Sequence, residues 1–234
     1  MDEHKVAIVT AAGRGMGAAI AKELYTRGYK LGLMSPSGAS EKLAEELDCV
    51  GVTGSVTSPD DLTTLVEKTL DAYGRIDGVV NHTGHPPKGE LLKIEDDAWH
   101  LGLDMLFLNV VRMTRLVTPV MLKQGGGAIL NITTFATFEP EEIFPVSVCI
   151  RAGLSSFTKI FADRYAEAGI RINNLLPGFI DSLPENEAMK ARIPMGRYGT
   201  VKEIAKTVAF LLSRDAGYIT GQNIRVDGGI TRHV

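Results

Sequence analysis

Residues Lys5–Gly17 read KVAIVTAAGRGMG and give a clear indication of the fold. Its first half, Lys5–Thr10, is a short β-branched apolar run typical of a buried strand. Three glycines follow at Gly13, Gly15 and Gly17, and a helical pattern begins where they end. Glycines between a strand and a helix let the backbone turn tightly and approach a pyrophosphate, whose charge the helix N-terminus stabilises. The stretch therefore predicts a nucleotide-binding strand-turn-helix unit.

Alternating strands and helices continue to the end of the chain. The strands are apolar on both faces and helical patterns separate them, which predicts a parallel sheet covered by helices on both sides. No internal repeat or linker divides the chain, so we expect one doubly wound α/β domain over residues 1–234. The predicted strands are Lys5–Thr10, Leu31–Met34, Val50–Thr53, Gly78–Asn81, Ala128–Ile132, Ile172–Leu176 and Asn223–Val226. The predicted helices are Gly17–Arg27, Glu41–Leu47, a segment opened by Ser58–Asp61, Asp104–Lys123, Ser147–Ala168 and Lys202–Ser213.

Composition narrows the possible partners. The 234 residues include 25 Lys and Arg against 28 Asp and Glu, a net charge of −3, which disfavours nucleic acid or an anionic membrane as the main partner. Two cysteines, Cys49 and Cys149, cannot build a disulfide framework and form no CxxC pair for zinc. His82 and His85 share a loop without a third ligand at a recognisable spacing, so we expect no metal site.

The sequence also predicts where the protein is located. No apolar run approaches the ~18 residues that span a bilayer. Met1–Lys5 leads directly into a strand and lacks the layout of a signal peptide. We therefore expect a soluble protein of the cytoplasm that acts on a small molecule.

Three irregular stretches are the expected place of function. Asn81–Glu95, Thr133–Pro145 and Pro177–Gly199 follow the fourth, fifth and sixth strands. In a doubly wound sheet the loops after these strands meet at the carboxyl edge, where ligands bind.

Motifs along nearly the whole chain resemble those of the short-chain dehydrogenase/reductase family. Thr10–Gly17 is similar to the family's TGxxxGxG turn, and the remaining matches follow in the family's order. The resemblance implies a Rossmann-type three-layer sandwich with seven parallel strands in the order 3-2-1-4-5-6-7. The other matches are Asn81–Gly84 (for NNAG), Asn109 (the helical asparagine), Gly127–Thr134 (for GxIVNISS), Arg171–Gly178 (for RVNxxxPG) and Thr220–Gly229 (for TGxxxxVDGG).

The resemblance also implies four catalytic positions. The family uses Ser, Tyr-x-x-x-Lys and the helical Asn, which here fall on Thr134, Ser147, Arg151 and Asn109. No tyrosine lies between residues 74 and 164. Shifting the alignment therefore does not bring a tyrosine to the position that Ser147 occupies.

These exchanges differ in their chemical consequences. Thr134 keeps a hydroxyl that can bond a substrate oxygen. Arg151 keeps a charge and a fork of donors for ribose, but arginine hardly ever releases its proton. Ser147 is shorter than tyrosine, and an aliphatic hydroxyl is a much weaker acid than a phenol. Ordinary tyrosine-driven carbonyl reduction is therefore not expected.

Three functions stay open at this point. The first is an atypical NAD(P)(H)-dependent oxidoreductase acting on a small carbonyl, alcohol or activated alkene, with another proton donor or none. The second is a cofactor-binding pseudoenzyme with a regulatory or structural role, and the third is non-redox chemistry on the same scaffold. The candidate replacement donors are His85, Glu139, Glu141 and Glu142.

The cofactor preference depends on the end of the second strand. Ser35-Pro36-Ser37 offers no acid to pair with the adenosine ribose, and Arg14 lies in the glycine turn, so NADP is favoured over NAD. Ser55 stands where the family reads adenine with an aspartate. The predicted cofactor-binding residues are Thr10, Gly13, Arg14, Gly15, Met16, Gly17, Ser35, Ser37, Ser55, Val56, Asn81, Gly84, Arg151, Pro177, Gly178, Ile180 and Ser182.

Two further expectations concern the substrate and the assembly. The loop at about 183–199, which follows Pro177–Ser182, is the predicted substrate loop. By resemblance, Asp104–Lys123 and Ser147–Ala168 pair with their copies in a homotetramer or homodimer.

Overall fold

The computed structural model describes residues 4–233. Met1–Glu3 and Val234 lie outside the described residues, although both belong to the predicted 1–234 domain. Met1–Glu3 also belong to the N-terminal stretch that was predicted to lack the layout of a signal peptide. Its centre is one seven-stranded parallel sheet in the order β3-β2-β1-β4-β5-β6-β7. The expected fold class and strand order are confirmed. The strands are β1 (Val6–Thr10), β2 (Lys30–Ser35), β3 (Val50–Thr53), β4 (Gly78–Asn81), β5 (Gly127–Ile132), β6 (Ile170–Pro177) and β7 (Asn223–Val226).

Helices cover both faces of the sheet because successive strand residues are buried on opposite sides. In β1, Val9 joins the core under α1 and α8, whereas Ile8 joins the core under α3 and α5. In β5, Leu130 joins the first of these cores and Ile129 joins the second. The helices are α1 (Gly15–Thr26), α2 (Ala39–Glu46), α3 (Pro59–Tyr73), α4 (Asp96–Leu103), α5 (Asn109–Gln124), α6 (Pro145–Tyr165), α7 (Glu187–Lys190) and α8 (Val201–Leu212).

The start of α3 follows its sequence signal. The Ser58 hydroxyl accepts a hydrogen bond from the Asp61 backbone N–H at 3.2 Å, and Pro59 is the first helical residue. Proline fits this position because its missing N–H would have no partner there. The helix ends at Gly74, whose φ of 73° lies in the left-handed region that favours glycine. The predicted opening at Ser58–Asp61 is confirmed.

The long helix expected over Asp104–Lys123 begins earlier than predicted. The helical run starts with α4 at Asp96, passes through one π-helical segment at Asp104–Leu108 and continues as α5. Asp96 and Asp97 occupy its first turn, where carboxylates interact favourably with the helix dipole. The π-helical segment was not predicted, because the apolar pattern alone does not distinguish it from an α-helix.

This longer run also changes one expectation about membranes. Within the described chain, Asp96–Gln124 is long and apolar enough to cross a membrane by length and composition, and 44% of its 18-residue window is buried in the protein. A core helix packed against a sheet meets the same criteria. The run is therefore weak evidence for a membrane span.

A row of asparagines connects four neighbouring strands. Asn81, Asn131, Asn174 and Asn223 are direct partners in the parallel register. Their side chains are bonded in series, with N···O distances of 2.9, 2.9 and 2.8 Å. Buried amides are stable in a core only when they are hydrogen-bonded, and here each of the four satisfies the next. We call this row the asparagine ladder.

Two side chains of α6 join the ladder to that helix. The Thr158 hydroxyl donates to Asn174 Oδ1 at 3.0 Å, and the Ser155 hydroxyl donates to Asn223 Oδ1 at 3.1 Å. The ladder therefore fixes the position of α6 over β5, β6 and β7. Its members were not predicted as a network, because only the register brings them together.

We expect Asn174→Ala to destabilise the protein by about 2–4 kcal/mol, because it removes three side-chain hydrogen bonds that are worth roughly 0.5–1.5 kcal/mol each. Asn223→Ala, which removes a residue nearer the sheet edge, is expected to cost about half as much. Urea unfolding midpoints measure both changes. Equal midpoints for Asn174→Ala and the wild type would contradict the role of the ladder.

Candidate active site

The glycine turn between β1 and α1 is held by close backbone packing. A Cβ on Gly17 would lie 2.1 Å from the Ala11 carbonyl oxygen, so no larger residue fits there. Gly15 has a φ of +53°, a conformation that other residues rarely adopt. The Ala12 N–H donates to the Met34 carbonyl at 3.0 Å, which ties the turn to the end of β2.

The N-terminus of α1 is open to a ligand. Its N-cap residue, Arg14, is exposed and makes no side-chain capping bond, so no side chain caps the first-turn N–H groups. Ser182 comes from the loop after β6, and its Cβ lies 3.3 Å from the position of a Cβ on Gly15. The fold therefore brings the predicted Gly15 and Ser182 together, with Met16 half-buried in the first turn of α1.

Thr10 links the turn to the loop after β4. Its hydroxyl donates to the His82 carbonyl at 2.6 Å and accepts from the His82 N–H at 2.9 Å. Since the side chain is 2% exposed, it positions the backbone of both loops. In the same loop, Gly84 and His85 are exposed to solvent.

The two serines of the predicted ribose corner have different environments. Ser35 is buried, donates to Ser40 Oγ at 3.0 Å and accepts from the Ser40 N–H at 3.1 Å. A Cβ on Gly13 would lie 2.8 Å from Ser35 Oγ, so this side chain packs directly under the turn. Ser37 is exposed. Ser37 is therefore the more accessible of the two to a ligand.

The loop after β3 is held by an acid of α3 whose contact with that loop was not predicted. The Ser55 N–H donates to Asp61 Oδ2 at 2.8 Å, and Ser55 Oγ lies 2.8 Å from Thr57 Oγ1. Val56 is half-buried against the core under α3. Asp61 was read only as part of the helix cap, because its contact with Ser55 depends on the loop folding back on α3.

The two altered catalytic positions contact each other on α6. Arg151 Nη1 donates to Ser147 Oγ at 2.7 Å, one helical turn apart. Ser147 is 6% exposed and Arg151 is half-buried. Burial lowers the pKa of Arg151 to about 10, which still leaves the guanidinium charged at neutral pH. No carboxylate of the described residues forms an ion pair with it.

Asn109 lies directly after the π-helical segment. Its side-chain amide donates to the Met105 carbonyl, and its Oδ1 is buried without a hydrogen-bond partner. The widened turn thus aims a polar group into the space beside α6. A narrow crevice there is lined by Asn81, Thr83, Met105, Leu106, Asn109, Val110, Asn131, Ile132, Arg151 and Leu154. The Asn81 amide donates to Asn131 as part of the asparagine ladder.

Thr134 begins the loop after β5. Its hydroxyl accepts from the Ala136 N–H at 3.4 Å and so caps the short 3₁₀ turn Phe135–Thr137. The residue is half-buried. Its hydroxyl proton has no partner in the described residues, so the group can still donate a hydrogen bond.

Two of the candidate proton donors are held in other contacts. Glu139 accepts from the backbone N–H groups of Arg232 and His233, and the first of these bonds is the main cause of its lowered pKa. Glu141 forms a bidentate ion pair with Arg192. Glu142 is exposed.

His85 is the fourth candidate donor. Burial, Lys88, Arg151 and Arg14, in that order, lower its pKa. Positive groups from three separate segments therefore surround this histidine.

The loop after β6 supplies the remaining predicted residues. Pro177 ends β6, and Gly178 approaches the loop after β7 so closely that a Cβ would lie 2.8 Å from Asp227 Cα. Ile180 is 5% exposed and forms a backbone bridge with Gly199. Its side chain is thus a packing residue, and only its backbone can face a ligand.

The predicted substrate loop is exposed over most of its length. Ile193 and Tyr198 are its buried anchors, whereas Met195 is 63% exposed. The Tyr198 hydroxyl accepts from the Asn186 N–H at 3.2 Å, so this phenol is held within the loop. The Arg192–Glu141 ion pair connects the loop to the segment after β5.

The chain is similar to known proteins over nearly its whole length. A family model described as enoyl-(acyl carrier protein) reductase matches residues 10–231. The chain belongs to the short-chain dehydrogenase/reductase family. A 3-oxoacyl-[acyl-carrier-protein] reductase of Synechocystis is 35% identical over 97% of this chain and 96% of the relative. Proteins of the same name from Staphylococcus epidermidis and Salmonella typhimurium are 33% and 32% identical, each over 97% of this chain and 99% and 98% of the relative.

His82 departs from the motif of the short-chain dehydrogenase/reductase family to which this chain belongs. It follows Asn81 in the stretch that resembles NNAG, and its Nδ1 is buried without a partner. Burial first, then Arg151 and His85, lower its pKa to about 4. The imidazole is therefore neutral at pH 7.

This shift predicts a pH dependence of stability. The unfolded chain binds a proton at His82 near pH 6.5, whereas the folded protein binds it only near pH 4. Stability is therefore full above the unfolded pKa and falls as the pH drops below about 6.5. After allowance for partial exposure, we expect His82 to contribute about 1 kcal/mol to the loss between pH 7 and pH 5.

His82→Asn should remove that contribution, while the exposed His100→Asn on α4 should keep it. Urea unfolding at pH 7 and pH 5 measures the difference. The same loss in the wild type and in His82→Asn would contradict the assignment.

Proposed function

We propose that this chain is an atypical NAD(P)(H)-dependent oxidoreductase acting on a small organic carbonyl, alcohol or activated alkene. The proposal is carried by two features at the carboxyl end of the sheet: the uncapped glycine turn, where Ser182 packs beside Gly15, and the Arg151–Ser147 pair on α6. A dinucleotide fits such an edge because its pyrophosphate takes the open N–H groups and its ribose takes the guanidinium. When bound, the nicotinamide supplies or accepts the hydride.

Each residue of the proposed site has a distinct part. Thr134 orients the substrate oxygen through its hydroxyl proton. Arg151 binds the nicotinamide ribose with guanidinium donors that Ser147 does not use. Asn109 holds the helix geometry beside the site, and Ser147 marks the altered proton-donor position.

The cofactor we propose is NADP, in preference to NAD. Arg14 is exposed, has no carboxylate partner among residues 4–233, and directly follows Gly13, which packs against Ser35. Ser37 adds an exposed hydroxyl, and the stretch Ser35-Pro36-Ser37 contains no acid. The remaining predicted contacts are Thr10, Gly13, Met16, Gly17, Ser35, Ser55, Val56, Asn81, Gly84, Pro177, Gly178, Ile180 and Ser182, with Thr10, Ser35 and Ile180 acting through the backbone they hold.

We expect NADPH to bind at least tenfold more tightly than NADH in calorimetric titration. Arg14→Ala should reduce that ratio to about one, because it removes the proposed cation for the 2′-phosphate. Lys22→Ala, an exposed cation further along α1, serves as the matched control and should leave the ratio unchanged. Equal affinities of the wild type for NADPH and NADH would reject the preference.

A pseudoenzyme is the second candidate. It is favoured by the bond that ties Ser147 Oγ to Arg151 and by the weak acidity of an aliphatic hydroxyl. Such a protein would bind the cofactor and carry out no turnover.

The double variant Ser147→Tyr with Arg151→Lys separates the two candidates. The wild type and the variant are assayed with NADPH deuterated at C4 against aldehydes, ketones, enones and a 3-oxoacyl thioester, the group in the relatives' names. We expect the wild type to transfer deuterium and the variant to lose that activity. A silent wild type whose variant reduces carbonyls would instead support the pseudoenzyme.

The proposal also covers the domain organisation, the assembly and the location of the protein. We propose one domain over residues 1–234, with the loop at about 183–199 contacting the substrate. We also propose a cytoplasmic homotetramer or homodimer that needs no metal, nucleic acid or membrane.

A further inference from the structure

The end of α6 that carries Ser147 and Arg151 offers positive charge, and no carboxylate among residues 4–233 forms an ion pair with it. Arg151 is half-buried and charged, and one of its five N–H groups is used by Ser147. Because Ser147 Oγ accepts that bond, its own proton is left to donate to another oxygen. The pair can therefore present two kinds of hydrogen-bond donor to one negatively charged atom.

The candidate proton donors in the neighbouring loops favour their unprotonated forms or are engaged in other contacts. His82 is neutral there because its pKa is about 4. His85 also has a lowered pKa, and Lys88 and Arg14 add further positive charge near it. Glu139 and Glu141 are held by the C-terminal backbone and by Arg192. The site is thus arranged to stabilise an anion and not to protonate one.

Two substrate types make different demands on such a site. Hydride addition to a simple carbonyl produces an alkoxide, which is about as basic as hydroxide, the conjugate base of water with its pKa of about 15.7. An alkoxide therefore needs a proton donor during the reaction. Hydride addition to an alkene conjugated with a carbonyl produces an enolate, whose charge is shared between oxygen and carbon. At its oxygen an enolate is a far weaker base than an alkoxide, because an enol is a stronger acid than an alcohol, and its α-carbon takes up a proton only in a later step. Hydride addition to the alkene therefore needs only electrostatic stabilisation at the oxygen.

We propose that the substrate is an α,β-unsaturated carbonyl compound, that hydride is delivered to its β-carbon, and that Arg151 and Ser147 bind the enolate oxygen. This inference rests on the proposed oxidoreductase function and narrows its substrate class. Arg151 thereby becomes a catalytic residue whose role is charge stabilisation, in addition to binding ribose.

The step balances without an added reactant. A C–H bond forms at the β-carbon with the electron pair of the hydride, the alkene pair moves to join the α-carbon to the carbonyl carbon, and the carbonyl pair moves onto oxygen. The nicotinamide is oxidised and the alkene is reduced. Water then gives a proton to the α-carbon, the carbonyl is restored and hydroxide takes up a proton from the buffer.

The test uses one compound that can be reduced at either position. 4-Phenyl-3-buten-2-one is incubated with the protein and with NADPH carrying deuterium at C4, in separate 4R and 4S samples. We expect 4-phenylbutan-2-one with deuterium at the phenyl-bearing β-carbon, and in D2O with unlabelled NADPH we expect deuterium at the α-carbon. The saturated product ketone is the matched control, and its reduction should be at least 100-fold slower.

A second pair, crotonyl and acetoacetyl N-acetylcysteamine thioesters, differs only in having C=C or C=O at carbon 3. We expect the crotonyl compound to react at least 100-fold faster. Deuterium at a carbinol carbon, or comparable rates within either pair, would overturn this inference and leave the oxidoreductase function intact. No transfer to any of these compounds or to the aldehyde and ketone panel would overturn both.

Variants on α6 test the role of the charge. Arg151→Gln should lower kcat for the enone at least 100-fold, and Arg151→Lys should recover about a tenth of the lost rate, with NADPH affinity measured separately by calorimetry. Ser147→Ala should lower kcat only about fivefold, because its hydroxyl assists without giving up its proton. The exposed Cys149→Ser on the same helix should leave kcat unchanged.

Two results would contradict the assignment. Enone reduction by Arg151→Gln within threefold of the wild type would show that no charge is needed at the oxygen. A 100-fold loss in Ser147→Ala, with Arg151→Gln less affected, would make serine the proton donor.

Discussion

The asparagine ladder is the constraint on which the rest of the site depends. A single register places Asn81, Asn131, Asn174 and Asn223 side by side on four parallel strands, and their amides satisfy one another within the core. Thr158 and Ser155 extend this bonding to α6. Because a half-satisfied network would leave buried polar groups unpaired, α6 cannot move away from the sheet at low cost. The ladder therefore fixes the position of α6, and with it Ser147 and Arg151, relative to the carboxyl ends of the strands.

Charge is distributed unevenly around that edge. Arg14 and Arg151 have no ion-pair partner among the described residues, whereas Glu139 and Glu141 are engaged with the C-terminal backbone and with Arg192. A cleft lined by cations and neutral donors attracts a phosphate-rich ligand and also disfavours protonation of His82. The same electrostatics thus account for the expected affinity for NADP, for the neutral histidine and for a reaction that passes through an anion.

Much of the fold was predictable from local patterns. Predicted strand bounds agree with the structure to within two residues, because buried parallel strands are short apolar runs bounded by turns. The cap at Ser58 was also predictable, because it depends on residues that are close together in the sequence. The start of α4 at Asp96 was not predicted, even though Asp96 and Asp97 are typical first-turn residues. The irregular loop before it gives no sequence signal for where the helix begins. The π-helical segment before Asn109 leaves no mark in the apolar pattern.

The sequence by itself determined the glycine turn, the alternation of strands and helices, and the identity of the residues at positions 134, 147 and 151. These properties depend on residue type and short spacing, which the chain displays directly. Tertiary contacts were needed to show that Ser35 faces Ser40, that Asp61 bonds the Ser55 backbone, and that Arg151 donates to Ser147 with no ion-paired carboxylate among residues 4–233. Partner choice among polar side chains depends on register, burial and the distance between segments remote in sequence, and none of these is encoded in a local pattern.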